Sequence, residues 1–102
     1  MNHRVRFTPE AEADLVRLYE FILTREDDDR QLAEKALAAI KDGNRTLETT
    51  PFTCRKATHG SPFLRELVIP FGATGYVALF EIDDAETVTV LAVRHQRKND
   101  YH

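Results

Sequence analysis

Cysteine occurs once in these 102 residues, as Cys54, so no disulfide can close within the chain, and no Cys/His spacing fits a zinc site. Arg55 and Lys56 follow that thiol and are expected to lower its pKa. With no base nearby in sequence it still reads as incidental. No apolar run approaches the ~20 residues of a membrane span. No signal-peptide pattern is visible either, so the expectation is a cytoplasmic protein with no membrane partner. An excess of positive charge is also lacking: 14 Lys and Arg against 17 Asp and Glu leave −3, which argues against non-specific coating of nucleic acid. Repeats, linkers and low-complexity segments are absent, so residues 1–102 read as a single domain. A chain 42% apolar and 30% charged has a globular rather than a disordered balance.

Local pattern supplies two helices and a sheet. Residues 3–7 alternate, Val5 and Phe7 against Arg4 and Arg6, as in a short strand. Thr8-Pro9-Glu10 reads as a helix start: Thr8 caps, Pro9 takes the first position, and Glu10 meets the positive end of the dipole. Ala11, Leu15, Leu18, Tyr19 and Ile22 share one stripe, and Glu10, Glu12, Asp14, Arg17 and Glu20 are expected away from it. The acidic run Asp27-Asp28-Asp29 connects to a second helix with Ala33, Ala36, Leu37, Ile40 and Leu47 on its apolar face. Residues 52–63 read as loop. Runs at 64–71, 76–82 and 87–93 read as strands, the last two joined by the tight turn Asp83-Asp84-Ala85-Glu86. The final run is so continuously apolar that it belongs inside the sheet. The predicted fold is α+β: a helical hairpin packed on a small antiparallel sheet, in the order β-α-α-β-β-β.

After the last strand the chain turns polar: Arg94-His95-Gln96-Arg97-Lys98-Asn99-Asp100-Tyr101-His102. A rigid sheet that ends in Arg, His, Lys and Tyr carries cations and proton donors on a fixed rim. Such a rim suits acid–base chemistry or docking. Plainer roles are open to the same residues. Arg65 can pair with a carboxylate such as Glu81, His95 can close the sheet end, and the tail can simply be solvated. No pattern here calls for a cofactor or a metal.

Phe7-Thr8-Pro9-Glu10-Ala11-Glu12-Ala13-Asp14-Leu15, Leu64-Arg65-Glu66-Leu67, and Gly75-Tyr76-Val77-Ala78-Leu79-Phe80 with Val90-Leu91-Ala92-Val93-Arg94-His95 resemble the RelE/ParE superfamily. The resemblance spans essentially the whole chain. It implies a toxin of a bacterial type II toxin–antitoxin module, held inactive by a cognate antitoxin whose partly disordered tail folds around it. Operator DNA is then contacted only through the antitoxin. RelE-like members cleave mRNA in the ribosome, and ParE-like members poison DNA gyrase.

The two routes ask for different residues. Metal-free RNA cleavage needs a base, an acid and cations around the phosphate, for which Arg65, His95 and Tyr101 are the catalytic candidates. Arg65 reaches the tail only if its strand lies beside the last one. RelE-like nucleases place further cations along the strands, where this chain has Leu67 and Val77. Gyrase poisoning is a binding event and needs no tuned acid and base. Arg94, Arg97, Lys98 and Tyr101 then become target contacts, and the missing strand cations favour this ParE-like reading. The same absence fits an inactive relative that serves as co-repressor with its antitoxin. Leu18, Phe21 and Phe71 are the expected antitoxin-docking strip, and full burial of all three would count against that.

Overall fold

The computed structural model describes residues 2–25, 30–58, 60–72 and 74–96. Strand β1 (Arg4–Phe7) leads into helix α1 (Pro9–Arg25), and α2 (Arg30–Thr49) follows. A 3₁₀ turn at Pro51–Thr53 precedes the short strand β2 (Arg55–Lys56), and β3 (Leu64–Phe71), β4 (Thr74–Ile82) and β5 (Thr87–His95) come after it. The strands lie in the order β1-β5-β4-β3-β2. The hairpin-on-sheet architecture is the predicted one, with two additions. β1 joins β5 in parallel, which makes the sheet mixed, and β2 pairs Arg55 and Lys56 with Glu66 and Arg65 inside the expected loop. β5 is interior, as its apolar run predicts. It continues beyond residue 93 because Arg94 and His95 stay in the ladder opposite Val77 and Tyr76.

Pro70 does not end β3. The Ile82 N–H donates to the Phe63 carbonyl, so odd-numbered backbone groups of β3 face β4. By the two-residue alternation Pro70 faces outward, beyond the reach of β2, where its missing N–H costs no ladder bond. Gly72 adopts φ 61° in the turn to β4, a left-handed conformation that glycine accepts freely.

Two side chains of the α1 segment complete the edge of β5 that β1 leaves open. The β1 pairing ends at Phe7 and Val90. Thr8 Oγ1 accepts the Ala11 N–H at 3.0 Å, the expected cap, and its hydroxyl donates to the Leu91 carbonyl at 3.3 Å. Leu91 is the extra residue of a β-bulge, since Phe80 pairs with Val90 and Leu79 with Ala92. Asp14 overturns its expected solvent-facing position. It is 5% exposed, and Oδ2 accepts the Val93 N–H at 2.9 Å while Oδ1 pairs with Arg17. The reason is a backbone donor that no strand reaches, for which a carboxylate is the strongest available acceptor.

The helices cover one face of the sheet. A Cβ on Gly43 of α2 would stand 3.0 Å from Leu67 Cδ2 and 3.2 Å from Ile69, so Leu67 and Ile69 point toward the helices. Their ladder partners Ala78, Tyr76 and Val93 point the same way and join Phe80, Val88 and Val90 in the core with Ala33, Ile40 and Leu47. Burial of a side chain such as Phe80, 0% exposed, contributes roughly 1.5–3 kcal/mol. Glu66, Val68, Val77, Leu79, Ala92 and Arg94 alternate to the opposite face. No helix among the described residues is long and apolar enough to cross a membrane.

Candidate functional site

The polar rim begins where β5 ends. His95 meets the Tyr76 ring edge to face at 5.8 Å, and Tyr76 meets Phe71 at 5.9 Å, an aromatic row across three strands. Burial pushes the Tyr76 phenol above its usual 10.0. The phenol is therefore a neutral packing group at physiological pH. Arg94 is anchored within the fold: Nη1 donates to the carbonyls of His95 (3.2 Å) and Gln96 (3.4 Å), and Nη2 lies 3.7 Å from Glu66 Oε2. Glu66 also accepts from Arg55 Nε at 3.1 Å. One carboxylate thus joins cations from β2 and β5 across the face opposite the helices. Sequence reasoning passed over Glu66. Its alternation with Leu67, which faces the helices, was the available signal.

Arg65 occupies the other end of the sheet. Its guanidinium donates to the carbonyls of Pro62 (2.7 Å), Phe52 (3.0 Å) and Cys54 (2.8 Å) and lies 5.3 Å from the Phe52 ring centre. The expected carboxylate Glu81 instead sits opposite Leu64 in the ladder. The guanidinium fastens the loop between α2 and β3 to the sheet. Cys54 also departs from expectation. Burial raises its thiol pKa above 9.0 and outweighs the lowering by Arg65. The thiol is neutral at physiological pH.

The structure does not bring Arg65 to the rim. β4 lies between β3 and β5, and Arg65 pairs with Phe80 while His95 pairs with Tyr76. That is two strands across and four residues along, about 16 Å at ordinary strand spacings. A single phosphate cannot touch both. Val77, where a nuclease-like cation was sought, is 0% exposed, and Leu67 packs toward Gly43 of α2. Arg97, Lys98 and Tyr101 lie outside the described residues. Of the expected docking strip, Phe21 is 52% exposed, and Leu18 and Phe71 are half-buried against the core. α1 carries Leu18 and Phe21 along β5 in the strand's own direction, since Thr8 reaches Leu91 and Asp14 reaches Val93, while Phe71 lies at the end of β3. No group of three His, Cys, Asp or Glu among the described residues is placed to hold a metal.

Comparison with known proteins agrees with this geometry. A solved structure described as the chromosomal ParDE toxin–antitoxin system from P. aeruginosa superposes with a TM-score of 0.71, at 18% identity over 91% of this chain and 95% of that one. At that identity the likeness is one of fold. No curated protein matches the chain. The family model for the ParE toxin of the type II toxin–antitoxin system parDE matches residues 5–100. With nearly its whole length inside that match, the chain belongs to the ParE toxin family of type II toxin–antitoxin systems.

Proposed function

We propose that this toxin arrests growth by binding DNA gyrase and stabilising the enzyme's cleaved-DNA state, with no catalysis of its own. Membership of the ParE family over residues 5–100 carries the reading. The geometry supports it, because an acid, a base and several cations are not assembled on one surface of the described residues. Arg65 is held by loop carbonyls at the sheet end remote from His95, and Arg94 is bound to Glu66 and the end of β5. Contact with gyrase falls to the polar rim, where His95 is fixed by Tyr76 and the chain continues into Arg97, Lys98 and Tyr101. The antitoxin docks over Phe21, Leu18 and Phe71, where apolar surface stays open.

Purified toxin, gyrase, ATP and supercoiled plasmid, stopped with detergent and protease, test the proposal. Linear DNA should accumulate in proportion to toxin, and Arg97→Ala with Lys98→Ala should weaken the effect by about tenfold. No linear DNA at saturating toxin removes the gyrase reading. Cleavage of ribosome-bound mRNA would then support the nuclease alternative, and growth unaffected by induction would support the co-repressor.

A further inference from the structure

Four side chains form a second exposed surface at the sheet end remote from His95. Phe52 and Phe63 meet edge to face with ring centres 6.2 Å apart, and they are 52% and 50% exposed. Arg65 stacks on Phe52 and holds the surrounding loop through its three carbonyl contacts, so this platform is set before any partner arrives. Lys56 stands directly across from Arg65 in the β2–β3 register. Among the described residues no carboxylate pairs with either cation. Like charges opposite one another weaken a ladder, and half-exposed aromatic rings leave hydrophobic stabilisation unrealised. One kind of group relieves both: a carboxylate beside a bulky apolar side chain.

We propose that Phe52, Phe63, Lys56 and Arg65 form a docking site for the antitoxin, filled by a segment in which an acidic residue flanks a large apolar one. The two cations, neither of them paired with a carboxylate among the described residues, select the acid, and the edge-to-face rings select its neighbour. The antitoxin is the occupant because it is the partner of the resting complex. In that state cover over the two half-exposed rings recovers the hydrophobic stabilisation they leave unrealised. Phe63 lies beside Ile82 and His95 beside Tyr76, about 20 Å apart along the strands, so this contact uses a different antitoxin stretch from the one over Phe21. The inference rests on the antitoxin partnership of the family and is independent of gyrase as the target.

Calorimetric titration of full-length toxin with its cognate antitoxin provides the test, alongside the thermal midpoint of each free variant. Phe52→Ala and Phe63→Ala should each bind at least about tenfold more weakly. Lys56→Glu gives Arg65 a carboxylate of its own. Free toxin should then melt higher while antitoxin affinity falls about tenfold, opposite signs that a purely structural residue would not produce. Lys56 is exposed, so this variant decides the matter even if an alanine variant fails to fold. Unchanged affinity in all folded variants overturns the proposal. So does loss of toxicity with antitoxin affinity intact, which would assign the surface to the target. A failure of the gyrase reading leaves these affinities as they are.

Discussion

The face of the sheet under the helices and the face opposite both bury polar side chains, but they use them for different ends. Under the helices Asp14 answers a backbone donor, the Val93 N–H, that β1 is too short to reach. On the other face Glu66 answers two side chains, Arg55 and Arg94, that arrive from strands on either side. The first contact substitutes for a missing strand and is shielded by packing. The second ties β2, β3 and β5 together in reach of solvent, since Arg55 is 57% exposed. One belongs to the fold's definition, and the other adjusts how the edge strand β2 and the end of β5 sit against β3.

Removing Asp14 should have the largest effect. Asp14→Ala strands a buried N–H and should lower unfolding free energy by about 2 kcal/mol, read by urea denaturation. Asp14→Asn keeps an acceptor and should lose less; equal losses would refute the role given to that bond. Glu66→Gln should cost about 1 kcal/mol at low ionic strength, because two guanidinium groups then face each other without an anion. That loss should shrink in about 1 M salt, whereas the loss from Asp14→Ala should not. Identical salt dependence would erase the contrast between the faces.

The smallest effect concerns Cys54, behind the Arg65 clamp. Its thiol pKa is raised in the folded state, so the folded chain holds that proton more tightly than the unfolded one. The resulting stabilisation is fully present below pH 9.0 and is lost as pH rises through the folded value. Cys54→Ala should flatten the first part of that alkaline decline. A thermal-midpoint profile with the same slope in both proteins would sink this assignment.

Much of this arrangement was legible from residue order, and the exceptions share a cause. The β3 run at 64–71, the cap at Thr8 and the interior place of β5 all follow from side-chain patterns, which period and propensity report directly. Asp14, Arg65 and β2 were missed because their partners are backbone groups. A carboxylate in a helix reads as solvated unless the unmet N–H beside it is known. It does lie three residues after Ala11 and four before Leu18, a spacing that placed it on the buried stripe. Arg65 was read as a catalytic candidate or a carboxylate's partner because loop carbonyls leave no mark in a sequence. β2 has two residues, too few to show alternation.

The parallel pairing of β1 with β5 also sets a clock. Thr8 bonds to Leu91 across 83 residues of chain. During synthesis β1 has no strand to join until β5 has been made, an interval on the order of ten seconds at ordinary elongation rates. Helices can form locally in that time, but loop closure over such a span comes last. The nascent chain therefore carries β1 without its strand partner until the last of the five strands has been made.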